Sequence, residues 1–136
     1  MTHPNHQLVR DFFAALSTGN LPDTLLTPDM TAWTTTSGTA PGQKYQGGVK
    51  LLQSVFEGGL AYTIDSLTAA GDRVAAEVRS HGKLVNGQAF HNTYVFMFRI
   101  RDGRIAAVAE HFNPDPVREK LMPLMQAAMA KAGKTP

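Results

Sequence analysis

Glu110 lies in the run Ile105-Ala106-Ala107-Val108-Ala109-Glu110-His111-Phe112-Asn113, an otherwise largely apolar stretch. A carboxylate there is costly to bury unless it is paired or put to use. Earlier in the chain Glu77, Arg79 and His81 stand two residues apart, so on a β-strand they project from one face. A carboxyl group held against aromatic rings has its charged form destabilised, which raises its pKa toward the range of a general acid. An arginine can keep a second carboxylate ionised and orient it through a bidentate fork, and histidine titrates near neutrality. These four residues form the candidate catalytic set: Glu110 donates or accepts a proton, Glu77 and Arg79 position a water or a polar group, and His81 shuttles a proton. Two plainer readings stand beside it. Glu77, Arg79 and His81 also fit an ordinary solvated strand face, with Val74, Ala76 and Val78 toward the core, and Glu110 with Arg79 also fits a structural ion pair.

The candidate substrate contacts are the rings and amides that share these strands or pack against them: Trp33, Asn92, Tyr94, Phe96, Phe98 and Phe112, with Phe12 and Phe56 from helices. His81, His91 and His111 lack metal-ligand spacing and no acidic cluster joins them, so neither a metal nor a cofactor is expected. With no cysteine, the chain has no disulfides, thiolate metal sites or thiol nucleophiles. Its 13 basic and 11 acidic residues are scattered, giving a net charge of +2 without a basic stripe, which argues against nucleic acid as a partner. Residues 1–6 lack a basic-then-apolar leader and no run approaches a membrane span, so a cytoplasmic protein with no membrane partner is expected. The 136 residues, 43% hydrophobic and 18% charged, fit one domain with a real core.

The elements that must position these residues follow from periodicity. Leu8, Val9, Phe12, Phe13, Ala15 and Leu16 share a helical face, with Asn5 as the expected N-cap and Gly19-Asn20 as the stop. A short helix or turn at 21–26 precedes an expected strand over 30–36, and 37–43 reads as a loop. Val49, Leu52, Val55 and Phe56 predict a second helix that ends at Gly58-Gly59. Strands are predicted over 62–67, 73–84, 90–100 and 105–112, with turns at 70–72, Asn86-Gly87 and Asp102-Gly103. Asp115-Pro116 opens a last helix through Val117, Leu121, Leu124, Met125, Ala128 and Met129, with a kink at Pro123 and fraying from Ala132. Met122, Met125 and Met129 recur at helical spacing and read as core or lid packing. The sum is an α+β domain whose helices gather on one face of an antiparallel sheet.

The turn at Asp102-Gly103 decides which way Glu110 points. A two-residue loop pairs Arg101 with Arg104 and puts Tyr94 opposite His111. A turn with Gly103 as a bulge pairs Ile100 with Arg104 and puts Tyr94 opposite Glu110. The last two strands are apolar on both sides, with Val95 and Met97 on one and Tyr94, Phe96 and Phe98 on the other. Such a sheet needs two covers, so a homodimer is expected.

The order of helices, the helix opened by Tyr45-Gln46-Gly47, the meander with its Asp-Gly hairpin and the closing Glu-aromatic-x-Asn together resemble the nuclear transport factor 2-like superfamily. The SnoaL-like, ketosteroid isomerase-related branch fits best, over a core of about 7–124 with 125–136 as a tail. The resemblance implies a cystatin-like cone: a curved antiparallel sheet wrapped by helices around a deep apolar pocket, often dimeric through the outer sheet face. It also favours the bulged turn, under which Phe96, Phe98, Val108 and Phe112 would wall Glu110. Steroid isomerases of this fold use a tyrosine, an aspartate base and a neutral acid; the matching positions here are Phe12, Thr34 and an acid-free strand 90–100, so that mechanism is not expected. Limonene-type epoxide hydrolases use an arginine and two acids; the match places Glu110 at one acid, with Glu77 and Arg79 in exchanged places. The resemblance thus implies a small hydrophobic, oxygenated ligand and a cofactor-independent isomerase, lyase or dehydratase, or epoxide-hydrolase-like enzyme. The alternative is a non-catalytic ligand-binding or assembly domain of the same fold.

Overall fold

The computed structural model describes residues 3–133, with side chains as far as Lys131. Helix α1 (Pro4–Thr18) starts two residues earlier than expected: His3, not Asn5, is the N-cap, its Nδ1 accepting the Asn5 N–H at 3.1 Å ahead of Pro4 in the first turn. Gly19 ends it as expected. A 3₁₀ turn (Asp23–Leu25) leads into β1 (Leu26–Thr34), which begins before Pro28. The expected loop is instead a short strand, β2 (Gly38–Pro41), followed at once by α2 (Gly42–Ser54). The sheet then continues through β3 (Phe56–Ala70), β4 (Arg73–Leu84), β5 (Ala89–Arg101) and β6 (Arg104–Phe112).

Gly58 and Gly59 do not end a helix. Both take positive φ inside β3, where the pairing with β4 slips between Glu57 and Ala61. Glycine tolerates that conformation, and such irregularities bend a strand. The backbone N–H of Leu60 just beyond is fixed by Gln53 Oε1 at 2.7 Å. Phe56 therefore lies on the strand rather than on α2.

The strand order is β2-β1-β6-β5-β4-β3 in one six-stranded sheet. The sheet is mixed, not purely antiparallel: β1 runs parallel to β6, and the other neighbours are antiparallel. β3 to β6 form a meander of adjacent hairpins, whereas β1 reaches β6 only by way of α2 and the whole meander, so no tight turn forces it to run antiparallel. Helix α1 lies across the inner face, with the ring of Phe13 4.8 Å from Phe96 and Phe12 5.2 Å from Phe98. These residues centre one core cluster; Phe56, Leu60, Leu84, Phe90, Val117 and Leu121 belong to a second.

The C-terminal segment has three pieces: α3 (Pro114–Pro116), a π-helical turn (Val117–Leu121) and α4 (Met122–Gly133). The N–H of Met122 reaches back to the Val117 carbonyl. The wide turn falls immediately before Pro123, whose ring would crowd the Glu119 carbonyl in a regular α-helix. The kink expected at Pro123 thus takes the form of a π turn. The chain after Gly133 lies outside the described residues, as do Met1 and Thr2. No helix among the described residues is long and apolar enough to cross a membrane.

Candidate active site

Asp102 and Gly103 both take positive φ and form a two-residue turn that pairs Arg101 with Arg104 and Ile100 with Ile105. The bulge expected at Gly103 is not there. It lies inside β6, where Ala106 is passed over and Arg99 pairs with Ala107. One extra residue restores the parity that the two-residue turn would otherwise reverse. Glu110 stands opposite Phe96, not Tyr94, while Phe112 stands opposite Tyr94. Glu110 therefore shares the inner face with Tyr94, Phe96 and Phe98.

On its other side Glu110 is held by the parallel strand. Thr34 is its register partner. Thr35 donates from both N and Oγ1 to the Glu110 carbonyl, each at 3.2 Å, and its Oγ1 accepts the Phe112 N–H at 3.1 Å. One threonine thus ties the backbone at Glu110 and again two residues on at Phe112.

A cavity of about 530 Å³ opens beneath this strand, between members of the two core clusters. The sheet contributes Ala32, Thr34, Leu60, Tyr62, Tyr94, Glu110 and Phe112 to its wall. Leu16 comes from α1, and Lys44, Tyr45, Gly48, Val49 and Leu52 from α2. Val117, Leu121, Met122, Met125, Gln126 and Met129 close the C-terminal side. Among the described residues, Glu110 is the sole carboxylate of this lining and Lys44 its sole amine.

Burial pushes the Glu110 carboxyl up to about 7, against the opposing pull of hydrogen bonding by the Tyr45 hydroxyl. Glu110 is half-buried and lines the cavity, so a bound ligand can reach it. Tyr45 is pushed well above the usual phenol range by burial and then by the charge and hydrogen bonding of Glu110. Tyr62 rises through burial and the neighbouring Tyr94 and Glu110, and Tyr94 rises chiefly through burial. All three phenols stay protonated at any ordinary pH and offer O–H donors. Glu110 is poised to change its charge near neutrality.

The remaining expected site residues are placed differently. Glu77, Arg79 and His81 are exposed on the opposite face of β4, because Val74, Ala76, Val78 and Ser80 take the inner positions. Arg79 forms its fork with Asp65, at 2.8 Å for both bonds, and Glu77 accepts from Ser66 Oγ at 2.7 Å. None of the three approaches Glu110, so neither the catalytic set nor the Glu110–Arg79 ion pair is assembled. Trp33 lies on the outer face with its ring 4.7 Å from His111. Asn92 is buried, but its amide donates to the Asn113 carbonyl at 3.1 Å. Phe96 and Phe98 are core residues under α1. Phe12 sits behind the wall, stacked 6.4 Å from Tyr45, and Phe56 packs 5.5 Å from Phe90. Of the expected contacts, Tyr94 and Phe112 line the cavity.

Tyr45 and Tyr62 were not among the expected site residues. The signal for Tyr45 was its place four residues before Val49 and seven before Leu52, on one helical face; for Tyr62 it was alternation with Leu60 and Ile64. Among the described residues no group of three or more histidine, aspartate or glutamate side chains could hold a metal.

The family model of the SnoaL-like domain matches residues 9–108. Comparison with curated proteins gives no match. Among solved structures the chain is similar to an NTF2-like protein from Anabaena variabilis, at 24% identity and a TM-score of 0.72, over 83% of this chain and 94% of that one. It is similar to IdmH of Streptomyces antibioticus, a proposed polyketide cyclase, at 19% identity and a TM-score of 0.72, over 95% of this chain and 99% of that one. An M. tuberculosis LEH-like epoxide hydrolase matches at 18% identity and a TM-score of 0.69, over 92% of this chain and 94% of that one. What is shared at these identities is the fold.

Proposed function

The chain belongs to the SnoaL-like domain family of the nuclear transport factor 2-like superfamily, and we propose that it is a cofactor-independent acid–base enzyme of isomerase or lyase type. Its substrate is a small, largely apolar, oxygenated molecule. One observation carries this reading: a carboxyl group with a pKa of about 7 lines an apolar cavity beside a protonated phenol. A general base or acid works best when its pKa lies near the working pH. Glu110 meets that condition because burial destabilises its charged form. The fold relatives named as a cyclase and an epoxide hydrolase support small-molecule chemistry on this scaffold. Hydrolysis by two acids and an arginine is disfavoured, since Glu77 and Arg79 lie across the sheet from Glu110.

The test is proton exchange. A panel of small cyclic ketones and enones is incubated with the protein in deuterated water and followed by mass spectrometry. Deuterium incorporation is expected for at least one compound, falling at least about 100-fold in Glu110→Gln. Compounds that bind in the cavity yet exchange no faster than with Glu110→Gln would leave a ligand carrier, with Glu110 a neutral donor.

A further inference from the structure

The lining of the cavity sorts by exposure. Val49, Leu60, Val117 and Leu121 are buried in its wall, whereas Ser37, Lys44, Gln126 and Met129 are exposed and mark where it meets solvent. Of those four, Lys44 alone carries a charge. Helix α2 contains no acidic residue, so Lys44 has no partner one turn away. Among the described residues no carboxylate pairs with it from elsewhere. The shift of Glu110 comes from burial and from Tyr45, with no contribution from Lys44, so the amine and the carboxyl stand apart in the lining. Gly48, one turn beyond Lys44, also lines the cavity. Glycine inside a helix is unfavourable unless backbone conformation or close packing calls for it. Neither does here: Gly48 is not among the positive-φ glycines, and nothing lies within 4 Å of where its Cβ would stand. The missing side chain leaves open space on the cavity side of α2, beside Lys44.

From these features we infer that the cavity takes an apolar carboxylic acid, its hydrocarbon body lodged inside past Gly48 and its carboxylate held at the mouth by Lys44. The inference rests on the reading above that a small, largely apolar, oxygenated molecule is the substrate, and names the class of its oxygen function. Electrostatics fixes the orientation. A carboxylate carried inward would be buried without a counter-ion and would meet Glu110, and two carboxyls in one site do not both ionise readily. At the mouth it stays hydrated and gains one opposite charge. A single lysine matches a monoanion; a phosphate monoester would bring further charge with no second cation among the described residues of the lining. The apolar end of the ligand, not its acid end, is thus the part offered to Glu110. An exposed ion pair contributes little by itself, so Lys44 sets preference and direction, while apolar burial supplies most of the affinity.

The probes are decanoate and decanamide, alike in body and different in charge, titrated into the full chain by calorimetry. At about pH 6 the acid is ionised while most of Glu110 keeps its proton. Wild type is expected to bind decanoate about fivefold tighter than decanamide at low salt, a preference that fades in about 0.5 M salt. Lys44→Met, which keeps an apolar stem, removes the preference and leaves decanamide affinity in place. Lys44→Glu inverts the preference, and Lys44→Arg retains it. Gly48→Leu weakens both probes in a protein whose circular dichroism matches wild type. Equal binding of the two probes by wild type, a preference that survives Lys44→Met, a folded Gly48→Leu variant that binds both as before, or failure of both probes to bind would each overturn the inference. Deuterium exchange separates it from the acid–base reading. Exchange dependent on Glu110 with a preference indifferent to Lys44 defeats the acid class alone, and a preference dependent on Lys44 without exchange in any compound defeats the acid–base reading alone.

Discussion

Glu110 is costly to the fold in its charged form, and that cost is the measure of its readiness to react. Its folded pKa of about 7 lies above the ordinary 4.5, so the folded chain binds this proton more tightly than the unfolded one. The contribution to stability is therefore full below about pH 4.5 and is lost as pH rises to 7, a change of about 3 kcal/mol. Glu110→Gln removes the charge. Thermal unfolding is expected to show the variant gaining on wild type between pH 4 and pH 8, and an equal difference at both pH values would count against a buried, titrating carboxyl. Tyr45→Phe deletes the hydrogen bond that favours the charged form. The midpoint of any Glu110-dependent rate is thus expected to move to higher pH in that variant. The inward aim of Glu110 was legible because a lone carboxylate on an apolar strand has few cheap places to go. Tyr94 was legible with it, whereas Tyr45 was not, since it lies where glycines and polar residues obscure the start of a helix. Glu77, Arg79 and His81 show the limit of period 2: alternation shows that residues share a face but not which face is covered.

At the scale of elements, the β5–β6 hairpin decides the site. The two-residue turn alone would have put Glu110 on the outer face, and Ala106 reverses that. Deleting Ala106 is expected to keep the Asp102-Gly103 turn and exchange the faces of the strand beyond it. Glu110-dependent activity would be lost, with the unfolding midpoint lowered as apolar residues turn outward. Retained activity in a folded deletion variant would contradict the assigned register. The sequence supported the meander well, because β4 to β6 are bounded by Gly- and Asn-containing turns. It supported the bulge poorly, since Ala106 among other small residues leaves no local mark. Packing at the second cluster makes a separate prediction. A Cβ at residue 82 would lie 2.9 Å from Phe56 Cδ1 and 3.2 Å from Leu60 Cδ1. Gly82→Ala is therefore expected to lower stability by about 1–3 kcal/mol in denaturant titration. Arg79→Ala, which breaks only an exposed pair with Asp65, is expected to leave activity unchanged.

Among the described residues, helices cover the inner face of the sheet and none covers the outer face. Val95 and Met97 are 41% and 37% exposed there, large apolar side chains on one strand of a surface that also carries Trp33, Ala107 and Ala109. We propose that a second copy of the chain covers this face. Met97→Glu is expected to shift sedimentation toward the monomer while leaving the cavity on the opposite side intact, and a wild-type protein that sediments as a monomer at every concentration would remove the proposal. The expectation of two covers came from both sides of the last strands being apolar, a pattern legible without coordinates. Everything proposed about chemistry, however, depends on the charge state of one side chain in the hollow beneath the other face. That state is measured most directly by ¹³C NMR titration of the glutamate carboxyl carbons, with Glu110→Gln assigning the Glu110 resonance. A midpoint near 7 is predicted; a midpoint near 4.5 would contradict the account.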